Sequence, residues 1–182
     1  HLNKIAVLFF LLCFFLIGES SFCNNIIIND SVKSYFNKHS LYFNKKNGAH
    51  SFIVGGHLYG DNNNQRGTYP AASLIGNIDR INGTNSDFFI SLGDNIRESN
   101  DLQLNNFYHS FTSKLDFPFF TVIGNHDVYG TPELFLELQQ RTYYSFIYKG
   151  SSYIFLDAII NDGRIEDEQL AWLNKVIKFI IK

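Results

Sequence analysis

Methionine is absent from this 182-residue chain, and cysteine is almost absent. The two cysteines are Cys13, inside an apolar amino-terminal run, and Cys23 just after it. Two residues so placed build no disulfide framework, so the fold has to rest on its core. Charge of one sign is equally scarce. The formal net charge is −2 and no long basic or acidic block occurs, which excludes a protein held on nucleic acid by bulk charge. No internal repeat is present. The absence of Met beside abundant Phe, Asn, Ile and Lys reads as compositional drift. What remains is ordinary for a globular protein: 45% apolar residues and enough length for one domain with a sizeable core.

The longest apolar run, Ile5 to Ile17, is too short for a comfortable membrane span. Lys4 precedes it, and Gly18, Ser20 and Ser21 follow. That order suits a signal peptide over residues 1–23, with a short uncleaved membrane anchor as the alternative. The protein is therefore expected to be secreted or periplasmic, or else membrane-anchored and facing outward. Contact with a membrane is expected only through that anchor.

Residues 24–49 read as a leader or linker. Asn24 to Asp30 suits a short strand or a spacer, and Val32 to Tyr42 a loose helix. The domain proper is expected from residue 50 to residue 182. Ser51 to Gly56, Phe88 to Leu92 and Phe119 to Ile123 are buried-strand runs. Tyr69 to Ile81 and Leu104 to Leu115 show helical spacing between them, and Pro132 opens a third helix. Tyr143 to Tyr148 and Tyr153 to Leu156 suggest adjacent strands turning at Lys149-Gly150-Ser151. Glu166 to Ile181 closes as a helix with Leu170, Leu173, Val176, Ile177 and Ile180 inward. The alternation of elements predicts an α/β fold, with a mainly parallel sheet and helices on both faces.

In such sheets function gathers at the carboxyl ends of the strands, and the polar clusters of this chain lie there. They are Gly55 to Gly60, Gly93-Asp94-Asn95 and Gly124-Asn125-His126-Asp127. Asp94 alone reads as turn chemistry, and His57 alone as a loop histidine. Asn125, His126 and Asp127 are harder to explain by stability, since they supply an amide oxygen, an imidazole and a carboxylate at a strand end. Either they hold a metal, or His126 moves a proton while Asp127 fixes its tautomer. A hydrogen-bonded cap on the next segment is the bland alternative.

Ser91-Leu92-Gly93-Asp94-Asn95 and Gly124-Asn125-His126-Asp127, about thirty residues apart, resemble the second and third signature blocks of the calcineurin-like metallophosphoesterase superfamily. Its purple acid phosphatase branch is the nearest. The likeness runs from about His50 to Lys182 and takes in Glu168 to Leu173. It implies an α/β/β/α sandwich with two close divalent or mixed-valence ions (manganese, iron or zinc), which activate water and clamp the phosphate in an in-line hydrolysis. By position Asp94 would bridge the ions, Asn125 and His57 would be ligands, His126 would protonate the leaving group and Asp127 would orient His126. Asn95 would lie near the substrate. Arg97 has two readings, a phosphate-neutralising cation or a solvated loop arginine.

The sequence also departs from the pattern. The first-block Asp falls at Gly55, or at Gly56 in a second alignment, so an anionic ligand is missing. Arg97 stands where the purple branch has tyrosine, which argues against a tyrosinate-bound iron. No histidine follows Asp127, although the family's later blocks supply two histidine motifs. The expectation is an amino-terminal half of an exported phosphoesterase for phosphate mono- or diesters, itself inactive or nearly so. Its substrates would be a phosphorylated small molecule, glycan or protein. A catalytically impaired domain that binds a phosphorylated ligand is the competing reading.

Overall fold

The computed structural model describes residues 26–27, 31–43, 48–61, 65–159 and 161–181. The signal-peptide or anchor segment, with Cys13 and Cys23, lies outside the described residues. Among the described residues no helix is long and apolar enough to cross a membrane.

Residues read as a leader are part of the packed fold. Strand β1 (Ile26–Ile27) pairs in parallel with a strand far along the chain, in the register Ile26↔Ser145. The segment expected as a loose helix is an antiparallel pair, β2 (Ser31–Lys33) and β3 (Ser40–Tyr42). Val32 and Leu41 lie opposite each other and are buried, and Phe36 in the connecting turn enters the main core. The Ser34 hydroxyl donates to the Phe119 carbonyl at 2.6 Å, which fastens the turn to the central sheet.

That sheet is β4 (Phe52–Gly55), β5 (Phe88–Ser91) and β6 (Phe119–Thr121), all parallel, with β5 in the middle. Its register, Gly55↔Ser91 and Ser91↔Thr121, brings the three carboxyl ends level. Parallel neighbours require crossovers, and helices supply them. Between β4 and β5 the chain forms α1 (Ala72–Ile75) and α2 (Ile78–Asn82). The sequence predicts one helix here. It divides at Gly76-Asn77, and Pro70 sits before it in a bridge to Tyr59. Between β5 and β6 comes α3 (Asp101–Ser110), followed by a 3₁₀ turn at Thr112–Lys114. The Asn100 side chain caps α3 by accepting from the Gln103 amide at 2.9 Å. The expected Leu104 start is thus one turn late.

Side chains alternate across the sheet, so β5 and β6 feed two cores. Phe89 and Phe119 face the helices and pack with Phe107, Phe111, Ile78 and Phe36. Phe88 and Phe120 face the other way, onto a second sheet formed by β1, β7 (Tyr144–Tyr148) and β8 (Ser151–Phe155). Helices on both faces of the parallel sheet were expected; the second sheet takes one of those faces. Ring centroids of Phe120 and Phe146 lie 5.0 Å apart, and those of Phe88 and Tyr153 5.1 Å. Each fully buried ring contributes roughly 1.5–3 kcal/mol by leaving water, so this aromatic seam is a main source of cohesion.

β7 and β8 join through Lys149-Gly150, both at positive φ (46° and 84°), the handedness a two-residue hairpin turn requires. Helix α4 (Pro132–Gln139) precedes β7 and has proline in its first turn as predicted. Helix α5 (Asp167–Ile180) ends the described chain. It buries Gln169, Trp172 and Val176, while Leu170 and Ile177, expected inward, are exposed. The Gln169 side chain explains part of that rotation. It accepts from the Asp157 amide at 2.7 Å and donates to the Asp157 carbonyl at 2.8 Å, which turns this polar residue toward the end of β8.

Candidate functional site

The site begins where β5 and β6 end, and its first requirement is room. After Ser91 the chain passes through Gly93 at φ 90° and then Asp94 at φ 55°. This bend lies against the backbone that follows β6. A Cβ on Gly93 would stand 2.7 Å from the Gly124 nitrogen, and one on Gly124 would stand 2.2 Å from Asp94 Oδ1. Glycine at both positions lets the second and third sequence blocks touch, and the Asp94 carboxylate lies at the crossing.

Asp127 holds this crossing together. It is fully buried. One of its oxygens accepts from the amides of Asn95 (2.8 Å) and Ile96 (3.2 Å). The other accepts from the amides of Gly124 (2.9 Å) and Asp94 (3.0 Å) and from Asn95 Nδ2 (3.0 Å). Five N–H donors converge on one carboxylate, as in an anion nest turned inward. Burial pushes its pKa up to about 6, against the pull of those donors, and the Asp94 charge adds to the rise. The role expected for Asp127, orienting His126, is therefore not the one it has. Consecutive residues of a turn project apart, and Asp127 faces the 94–96 backbone.

His126 is oriented instead by the Arg97 carbonyl, 2.8 Å from its Nδ1. A carbonyl only accepts, so Nδ1 carries the proton and Nε2 is the nitrogen able to act on a ligand. Arg97 thus enters the site through its backbone. Its side chain lies over Gly67, whose Cβ would fall 3.0 Å from Nη1. The Arg97 and Glu98 amides both donate to the buried Gln103 side chain at 3.0 Å, which anchors that carbonyl to the first turn of α3. Asn95, expected near the substrate, is fully buried. It donates to Thr121 and Asp127, and its Oδ1 has no partner among the described residues. It is a support beneath the site.

The loop after β4 docks on the same bend. The His57 amide donates to the Gly93 carbonyl at 3.0 Å and the Leu58 amide to the Asp94 carbonyl at 2.7 Å. His57 and Asp94 both hold left-handed backbone, at φ 55° each, which costs on the order of 1–3 kcal/mol per residue and is held by these bonds. His57 Nδ1 lies 3.3 Å from Asp94 Oδ2, while the other Asp94 oxygen accepts the His126 amide at 3.1 Å. His57, Asp94 and His126 are thus brought together from three strand ends. Asn125 is exposed at the rim beside His126 and makes no side-chain hydrogen bond among the described residues.

Sequence reasoning missed Tyr59. Its buried ring packs against both imidazoles, 4.2 Å from His57 and 4.9 Å from His126 by ring centroids. Burial and the Asp94 charge raise its pKa, and the Arg97 charge opposes them. Position beside His57 was the only sequence signal for it, and a tyrosine in a polar loop is otherwise unremarked.

Does this donor set fit two metal ions? Asp94 and His57 make one carboxylate–imidazole pair. Gly55 and Gly56 add no side-chain donor, and among the described residues no three His, Cys, Asp or Glu side chains converge to hold an ion. The described residues do not complete a two-ion centre.

No curated protein matches the sequence. The sequence model of the Calcineurin-like phosphoesterase family, whose members usually bind two metal ions, matches residues 57–175. That span opens at the first histidine of the site, crosses both glycine-bounded blocks and runs into α5. With well over half of the sequence matched and the blocks meeting at three parallel strand ends, the chain belongs to the calcineurin-like phosphoesterase family.

Proposed function

We propose that this domain serves an exported hydrolase of phosphate mono- or diesters, acting on a phosphorylated small molecule, glycan or protein. Membership of the family supports phosphoester hydrolysis in general, and the apolar run before Gly18 supports export. One observation carries the reading: His126 is held by the Arg97 carbonyl with Nε2 left to act, beside the Asp94 carboxylate. When protonated, His126 Nε2 gives its proton to the leaving-group oxygen and returns to neutral imidazole. The described donors do not complete the metal pair of the family.

The incomplete donor set favours a second reading, a domain that binds a phosphorylated ligand without turning it over. One experiment separates the two. The chain is assayed against chromogenic phosphate mono- and diesters with manganese, zinc or iron(II), and inorganic phosphate binding is measured alongside. Turnover that drops by about 10²–10⁴ in His126→Ala supports the hydrolase. Phosphate binding weakened by the same substitution, with no turnover under any metal, supports the binding domain. Neither turnover nor binding sinks both.

A further inference from the structure

The geometry points to Tyr59 as the positioning residue of the site, the wedge that sets where both imidazoles stand. The inference rests on the reading that His57 and His126 face one ligand. His57 is exposed and would otherwise sample many rotamers, since among the described residues the one polar tie of its side chain is the 3.3 Å contact to Asp94. His126 is held at Nδ1, which leaves its ring plane free to tilt about that bond. The Tyr59 ring lies against both, at 46° to the His57 plane and 52° to the His126 plane. The two imidazoles sit edge to face, 6.3 Å apart. A ring packed against both planes fills the space on its own side into which either imidazole would turn.

Tyr59 can serve as a wedge because its own backbone is fixed. It forms an antiparallel bridge with Pro70, the Gly60 amide donates to the Tyr69 carbonyl at 2.9 Å, and the Ala71 amide donates to the Leu58 carbonyl at 2.8 Å. The preceding Leu58 amide is tied to the Asp94 carbonyl. The ring is thus mounted on the helix-side connection and on the Asp94 bend together, and it carries their relative position to the histidines. Groups that bind a tetrahedral oxyanion need such support from behind, since small misplacements weaken them steeply. Under the proposed function the ligand they face is a phosphoryl group.

Tyr59→Phe and Tyr59→Leu test the assignment. Phe keeps the wedge without the hydroxyl, and Leu keeps buried apolar volume without the ring. Side-chain three-bond couplings read the χ1 rotamers of His57 and His126, with exposed His39 and His109 as internal references, and inorganic phosphate is the titrant. Rotamers are the readout because loss of the Tyr59 ring current by itself moves the lines of nearby imidazoles. The expectation is that Tyr59→Phe leaves both rotamers and the phosphate affinity as in the native chain. Tyr59→Leu lets both rotamers average, leaves the reference residues unchanged, and weakens phosphate on the order of tenfold. The assignment is overturned if Tyr59→Leu leaves both rotamers fixed, or changes the reference residues as far. Should Tyr59→Leu fail to fold, the same couplings in Tyr59→Met decide instead: averaged rotamers support the assignment, fixed ones overturn it. A chain that neither turned over phosphoesters nor bound phosphate would defeat the proposed function, and the histidine rotamers would still decide the role of Tyr59.

Discussion

Gly93 and Gly124 meet backbone to backbone, and neither has room for a methyl group. A Cβ on Gly93 would lie 2.7 Å from the Gly124 nitrogen, and one on Gly124 would lie 2.4 Å from the Asp94 nitrogen. The Gly124 and Asp94 nitrogens are main-chain atoms, which cannot swing aside as a flexible side chain does. Gly93 also needs its positive φ.

Gly93→Ala and Gly124→Ala should each destabilise the domain on the order of 2–4 kcal/mol. Gly48→Ala, where nothing lies within 4 Å, should stay within about 0.5 kcal/mol of the native chain. Urea midpoints of the three variants give the comparison. Equal midpoints for all three would show that the two blocks do not touch as described.

Acid stability should depend on a pair of residues at the opposite pole of the sheet. Asp87 accepts from the Tyr148 hydroxyl and, at 3.0 Å each, from Lys149 Nζ and the Ser51 amide. Burial raises the Asp87 pKa, but these donors outweigh it and leave the carboxyl below its ordinary value of 3.8. A carboxylate lowered in the folded state contributes stability above the unfolded value, and that stability is lost as pH falls through the folded one. Tyr148→Phe keeps the ring against Phe88, at 5.7 Å, and removes the strongest of the lowering bonds. Its acid-unfolding midpoint, followed by circular dichroism, should move to higher pH. A midpoint that stays put or moves lower would contradict the role given to Asp87.

Metal affinity should respond to a single added carboxylate. Gly55 and Gly56 have ordinary backbone rather than left-handed, and the nearest atoms to an added Cβ are side-chain atoms of Phe89 and Leu92, each at 3.1 Å. Those neighbours can give by a few tenths of an ångström. Gly55→Asp or Gly56→Asp should tighten manganese binding by about tenfold or more in calorimetry, because anionic ligand count sets affinity at oxygen-rich sites. If neither tightens, His57 and Asp94 are not half of a metal site.

The central sheet was legible because its strands are short apolar runs stopped by glycine or a turn, and β4, β5 and β6 lie within a residue or two of the predicted runs. The β2–β3 pair was not. Val32 and Phe36 fall four apart and imitate a helix, and strands of three residues are too short to show alternation. The site was legible in its members and less so in their roles. Adjacency in sequence suggested that Asp127 serves His126, yet the partner of His126 is the carbonyl of Arg97, twenty-nine residues earlier. A backbone acceptor leaves no trace in a side-chain pattern. Tyr59 was hidden for a related reason: what it does depends on two rings that only the fold brings to it.

The Asp127 carboxylate has a kinetic consequence. Its contacts to Asp94, Asn95 and Ile96 close loops of thirty-three, thirty-two and thirty-one residues. While β4, β5 and α3 form, the 94–96 amides have only water to bond. They find their acceptor once β6 has docked and the chain has turned past Gly124. Long loops close late, after local helices and hairpins have formed. Refolding should therefore proceed through a compact chain whose sheet is largely in place while its polar end is still open. Hydrogen–deuterium pulse labelling would find the amides of Asp94, Asn95, Ile96 and Gly124 becoming protected together, in one step, after those of α3.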